Sequence, residues 1–194
     1  MMKAFDAMQY SKKYLTERNI YFKEDVFEGV PRLTMRFEGF VQSPSESIEA
    51  CLYYHVNAHA IEARVYYANP SPEIVKESAY IRDLYQLLNF TNSQVFPKNM
   101  DGADGAVYAP SYLMTPRFAL TEDGCNDITA VIVMDEDLFM TAPLEICDYI
   151  TIALPWLMDK LAFYIFGVLF GKLNVLHAIH LIRRYILQEE ETLT

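Results

Sequence analysis

Ile48-Glu49-Ala50-Cys51-Leu52-Tyr53-Tyr54-His55-Val56 alternates, and after Asn57-Ala58-His59 the alternation resumes through Ile61-Glu62-Ala63-Arg64-Val65-Tyr66-Tyr67. Ile48, Ala50, Leu52, Tyr54 and Val56 fall on one side of the first run. Ile61, Ala63, Val65 and Tyr67 fall on one side of the second. A period of two marks a strand with one buried face, so the runs predict two strands joined by a turn. Upstream, Leu33, Met35 and Phe37 alternate with Thr34, Arg36 and Glu38 until Ser43-Pro44-Ser45 breaks the pattern. Three strands on short connections predict an antiparallel meander with one wet face. Arg36 and Glu38 are expected to pair across that face with Glu62 and Arg64.

Helical periodicity flanks the meander. Ala4, Met8, Ser11 and Leu15 share a stripe near the N-terminus, with Phe5 beside it, and Asn19 is a stop signal. Glu24 to Pro31 reads as a loop. After Tyr67, Ser71 suits an N-cap and Pro72 the first helical position, opening a helix to about Asn92 that buries Ile74, Ile81, Leu84, Leu87 and Leu88. Pro97 to Pro110 is an expected surface excursion. Tyr112 to Thr121 and Asn126 to Asp135 read as strands around Glu122-Asp123-Gly124. A last helical region opens at Thr141-Ala142-Pro143, with Thr141 expected as its N-cap, Pro155 predicted to kink or split it and Gly171 to end it. Asn174 then caps a further helix that buries Val175, Ala178, Ile179, Ile182 and Ile186. The expected architecture is α+β: an antiparallel sheet of about five strands with helices on one face, in the order α-β-β-β-α-β-β-α plus an added C-terminal helix. Residues 1–172 form the domain, and 173–194 a helical extension with a frayed acidic tail.

Composition narrows the function. Of 194 residues, 52% are hydrophobic and 14% aromatic, enough for one sizeable core. The net charge of -10 opposes phosphate, which excludes nucleic acid as the main ligand and argues against anionic lipid surfaces. The three cysteines, Cys51, Cys125 and Cys147, are odd in number and far apart, unlike a disulfide framework or a zinc knuckle. The opening residues have no long apolar run and carry Asp6, so the expected compartment is the cytoplasm. Residues 149–171 are long and apolar enough to span a bilayer, but Asp159 and Lys160 sit near the centre. Each such charge costs about 2.5–3.5 kcal/mol on insertion scales, so a membrane span is not expected.

Candidate chemistry is sparse. His55 and His59 flank a turn, and His177 and His180 share the polar face of a helix, none with a third ligand nearby. Asn99 to Gly105 resembles a calcium loop superficially, but Ala103 breaks the ligand alternation and Pro110 stands where the distal Glu belongs. Glu122, Asp123 and Asp127, and Asp135, Glu136 and Asp137, are acidic clusters explained by turns and solubility. No nucleophile elbow, phosphate-binding Gly loop, dinucleotide fingerprint or metalloprotease helix is present, and no cofactor is expected.

Three segments carry a resemblance: Leu84-Tyr85-Gln86-Leu87-Leu88-Asn89-Phe90-Thr91-Asn92; the hairpin Arg117 to Gly124 leading into Ile128 to Met134; and the helix opening after Thr141-Ala142-Pro143. Together with the element order they resemble the bacterial YbjN-like family, which has the type III secretion chaperone-like fold and includes members called sensory transduction regulators. The resemblance implies a non-enzymatic, often dimeric module that binds segments of other proteins, and it supplies no catalytic residues.

The apolar run Leu161 to Phe170 points the same way. A helix resting on a sheet hides one side, whereas this one is apolar all round. Leu161, Phe163, Tyr164, Phe166, Leu169 and Phe170 are therefore expected to meet a partner, either a second copy in a homodimer or an apolar segment of a client protein. The C-terminal helix is expected to share in that cover. Tyr53 and Tyr66 are added as recognition residues, because tyrosine offers area with a polar tip. The alternatives are a hydrolase-type enzyme with a non-local carboxylate and histidine site, or a membrane-surface protein docking through residues 149–187.

Overall fold

The computed structural model describes residues 3–68, 72–96, 115–121 and 125–189. The chain opens with helix α1 (Lys3–Glu17), which ends where Asn19 takes a positive φ. Met8, Ser11 and Leu15 are buried as their spacing requires, and Ala7 and Tyr14 join them. Strands β1 (Phe22–Phe27), β2 (Val30–Glu38), β3 (Ser47–His55) and β4 (Ala60–Tyr67) follow. Then come α2 (Pro72–Lys76), α3 (Ile81–Phe90), β5 (Arg117–Leu120) and β6 (Ile128–Asp135). The chain closes with α4 (Glu136–Thr141), α5 (Pro143–Asp148), α6 (Leu154–Leu169) and α7 (Val175–Tyr185).

Among the described residues the strands form one antiparallel sheet in the order β1-β2-β3-β4-β6-β5. The fold is α+β as expected, with six strands rather than about five. The extra strand is β1, in the stretch read as a loop. Glu28 and Gly29 both take positive φ and turn β1 into β2 as a tight two-residue hairpin. Register places Leu33, Leu52, Ala63 and Ile132 in one row across the sheet, with Met35, Ala50, Val65, Ala130 and Phe118 in the next. All nine are buried under the helices.

Three helical expectations are corrected. The helix read as running to about Asn92 is two helices, separated at Ser78. There the hydroxyl donates to the Leu169 carbonyl at 2.7 Å and accepts from the Tyr80 N–H, so a tertiary contact outbids helix continuity. Ala142, not Thr141, occupies the cap position of α5, because Thr141 is spent closing α4. Pro155 does not break the closing helix. The turn before it widens over Tyr149–Ala153, with the Leu154 N–H reaching back five residues to the Tyr149 carbonyl. The widened turn carries the helix through the proline, so the expected split does not occur.

Other expectations hold. Gly171 ends α6 with a positive φ that a side chain would strain, and a Cβ there would meet the Tyr80 ring. The Asn174 side chain caps α7 by accepting from the Leu176 N–H. The Ser71 cap, the excursion 97–110, the Asn99–Gly105 loop, the first residues of the strand read from Tyr112, the turn 122–124 and the tail beyond Glu189 lie outside the described residues. The stretch Pro143–Leu169 is long and apolar enough to cross a membrane by length and composition, yet more than half of it is buried within the fold.

Candidate functional site

The apolar run lies in α6, which packs against the sheet and against the helices α3 and α7. Leu161, Ala162, Ile165, Val168 and Leu169 are buried, and so are Tyr164 and Phe166. On the sheet side, the Phe166 ring meets Tyr67 edge-on at 5.0 Å, and the Tyr67 hydroxyl donates to the Met158 carbonyl at 2.7 Å. Leu84, Leu87 and Leu88 of α3 and Val175, Ala178 and Ile182 of α7 belong to the same core. The chain doubles back tightly after α6. The Lys172 and Leu173 N–H groups both donate to the Gly167 carbonyl, and Leu173 covers Gly167 so closely that a Cβ would lie 2.7 Å from its Cδ1.

This corrects the expected site. Leu161, Tyr164, Phe166 and Leu169 are core residues, because α3 and α7 supply the cover that the sheet alone could not. Of the six residues named on this helix, Phe163 and Phe170 reach solvent.

They do not stand alone. Ile152, Trp156, Phe163 and Phe170 are 43%, 54%, 53% and 44% exposed. Their spacing of four, seven and seven residues puts them on one side of the helix. They leave an apolar stripe on the order of 400 Å², comparable to the largest patch on a typical monomer. The Lys160 ammonium sits 3.6 Å over the Trp156 ring, and that of Lys172 5.8 Å from Phe170. Cations therefore flank the stripe. Asp159 does not offset them as an open charge, because its Oδ1 accepts from the Gln42 N–H, the Ser43 N–H and the Ser43 hydroxyl at 3.0–3.1 Å. Ile152 and Trp156 were missed from the sequence. The four-seven-seven spacing was the signal, masked by equally apolar neighbours.

Tyr53 and Tyr66 occupy the opposite face of the sheet, so the eight expected residues do not form one surface. Asp25, Arg32, Tyr53, Glu62 and Val133 make one row of that face. Arg32 grips Asp25 with two hydrogen bonds, at 2.8 and 2.9 Å, which holds the Asp25 carboxyl below its usual range. The guanidinium carbons of Arg32 and Arg64 lie 5.7 and 5.1 Å from the Tyr53 ring centre, and His55 stacks beside it. The next row but one carries Arg36, Glu49, Tyr66 and Thr129. The Tyr66 hydroxyl donates to Glu49 at 2.8 Å and lies 3.7 Å from the Cys51 sulfur. Burial raises the pKa of both tyrosines above the ordinary phenol value. Arg36 and Arg64 pair with Glu38 and Glu62 of their own strands, and Arg36 also approaches Glu49 across the strand gap. The expected pairing of Arg36 with Glu62 does not occur, since they lie in different rows. The face is closed on itself by rings and ion pairs, and Tyr53 is buried within it.

Histidines and carboxylates meet in pairs. His55 lies 3.1 Å from Glu62, and His59 is 3.1 Å from the buried Glu136. His177 and His180 stack on the exposed side of α7, 6.5 Å apart. Among the described residues no group of three or more His, Cys, Asp or Glu side chains converges to hold a metal ion. None of the three cysteines is in a disulfide, and burial pushes the Cys147 thiol up to about 12. A cleft of about 220 Å³ opens between α1 and α5, lined by Tyr10, Lys13, Tyr14, Glu17, Arg18 and Leu144. Its floor is a structural tie: the Tyr14 hydroxyl donates to Asp148 at 2.6 Å and lies 3.0 Å from the Thr151 hydroxyl. No family model, no curated protein and no solved structure matches this chain.

Proposed function

We propose that this chain is a non-enzymatic protein-binding module that acts as a homodimer and takes an apolar helical segment of a partner protein along the outer side of α6. One observation carries this reading: Ile152, Trp156, Phe163 and Phe170 stay exposed at four- and seven-residue spacing along a helix whose remaining large apolar side chains are buried. Retaining four large apolar side chains in water, two of them flanked by lysines, costs solubility that a purely structural helix would not incur. An amphipathic helix laid in this stripe would present apolar residues at intervals of three and four, with acidic residues at its margins for Lys160 and Lys172. The resemblance to YbjN-like proteins with a chaperone-like fold supports the same reading.

Trp156 is the chain's one tryptophan, so the stripe carries its own reporter. Titrating the protein with a designed Leu- and Glu-rich amphipathic helix should shift Trp156 emission to the blue and saturate. Phe163→Asp should weaken that binding by about tenfold or more, the worth of one buried ring. An emission spectrum unmoved by the peptide, in a protein that remains folded, would overturn the reading.

A further inference from the structure

We infer that two copies of this chain join along the outer edge of β1, in one antiparallel register, to make a continuous sheet across the dimer. The inference rests on the homodimer part of the proposed function and names its interface, which is separate from the α6 stripe. β1 is the end strand of the sheet, with no strand on its outer side among the described residues. Tyr21, just before it, and Val26 and Phe27 within it are 87%, 68% and 42% exposed. The unpaired N–H and C=O groups of such an end strand are a template for pairing, and the charges at its centre, Lys23, Glu24 and Asp25, decide what can pair with it.

The hairpin determines which main-chain groups are available. Phe27 and Val30 close a two-residue turn, so they exchange hydrogen bonds, and the pattern alternates along the ladder. Phe27, Asp25 and Lys23 therefore bond inward to β2. Phe22, Glu24 and Val26 point their N–H and C=O groups outward. An isologous antiparallel pair must match outward residues with outward residues, so one residue faces its own copy; Lys23, Glu24, Asp25 and Val26 are the centres that pair three or more residues of β1.

Charge selects among them. Centring on Lys23 sets two lysines directly opposite on the open face of the sheet, and centring on Asp25, which Arg32 already holds, leaves Lys23 opposite Phe27 with no carboxylate to meet. Centring on Glu24 sets Lys23 opposite Asp25 of the second copy, Tyr21 opposite Phe27, and Phe22 opposite Val26. Glu24 then faces Glu24, but each is already held by its own Lys12 at 2.7 Å. This register also gives the longest overlap, with about six main-chain hydrogen bonds between copies. Lysine on an edge strand ordinarily blunts pairing. Here Lys23 and Asp25 admit a second copy of this chain in one register and disfavour the others.

Sedimentation equilibrium of the full chain tests this, with Lys23→Glu, Asp25→Lys and Val26→Pro made singly. The wild type should dimerise. Lys23→Glu and Asp25→Lys should each weaken dimerisation at least tenfold alone, and an equimolar mixture of the two should restore it, because Glu meets Lys and Asp meets Lys in the mixed pair. Val26→Pro removes an outward N–H and should give a monomer that still binds the amphipathic helix at Trp156. A wild-type dimer that tolerates Val26→Pro, or a mixture with no gain over its components, would overturn the β1 interface while leaving the homodimer standing. A wild type that stays monomeric at all concentrations would overturn both, and a dimer dissociated by Phe163→Asp instead would move the interface to α6.

Discussion

The Asp159 carboxylate accepts hydrogen bonds from both the main-chain N–H and the hydroxyl of Ser43, at 3.0 and 3.1 Å, from the midst of the most apolar helix in the chain. With the Gln42 N–H as a third donor, it ties the β2–β3 loop to α6. Asp159→Ala should destabilise the fold by about 1–3 kcal/mol, the cost of leaving partly buried donors without their charged acceptor. Asp159→Asn keeps one oxygen acceptor and should lose less. Urea unfolding midpoints at constant slope measure both, and an alanine variant as stable as the wild type would refute the tie.

The two sides of α6 should respond oppositely to truncation. Leu161 is fully buried between sheet and helices, and Leu161→Ala should cost about 2–5 kcal/mol. Phe163, two residues on, is half exposed, and Phe163→Ser should cost less than about 1 kcal/mol. Equal losses in thermal or urea unfolding would mean that the stripe is part of the core.

Two buried phenols separate a used hydroxyl from an idle one. Tyr67 donates to the Met158 carbonyl, so Tyr67→Phe should destabilise by about 1–2 kcal/mol. The Tyr149 hydroxyl is buried with no hydrogen-bond partner among the described residues, so Tyr149→Phe should be neutral or stabilising. Calorimetry of the two variants side by side checks the contrast.

Alkaline pH should unfold this protein through groups that resist ionising inside it. Burial raises the pKa values of Tyr54, Tyr67 and Tyr149 above the ordinary 10.0, and that of Cys147 from 9.0 to about 12. Burial and the Asp148 hydrogen bond raise that of Tyr14. A raised pKa means that the folded state holds its proton more tightly. The associated stability is therefore complete below pH 9 and is lost as pH rises from 9, for Cys147, and from 10, for the tyrosines. Absorbance at 295 nm should show a block of phenols ionising together with the loss of helical circular dichroism. Smooth ionisation in a chain that remains folded would contradict the burial.

Alternation made β2, β3, β4 and β6 legible, because each has one face that must pack and a period-two code cannot be shifted without exposing it. β1 was hidden because Lys23-Glu24-Asp25 interrupts any alternation. An end strand has little to bury, and Glu24 can sit on the helix side because Lys12 meets it there. The positive-φ pair Glu28-Gly29 was the available cue. The break at Ser78 could not be read, since its cause is the carbonyl of Leu169, distant in sequence. For α6, composition revealed a helix apolar all round but not its neighbours. The modest stripe of α7, Val175, Ala178 and Ile182, turned out to be enough to close one side, which moved the candidate site from the whole helix to one edge of it.

Asp159 also matters before the fold exists. While the chain is being synthesised, residues 143–169 emerge as a greasy stretch of anchor length, after the six strands but before α7, which closes one side of them. A carboxylate at mid-stretch, with Lys160 beside it, makes sideways release from a translocation channel into lipid unfavourable. The side chain that fastens the loop thus also makes the stretch a poor membrane anchor.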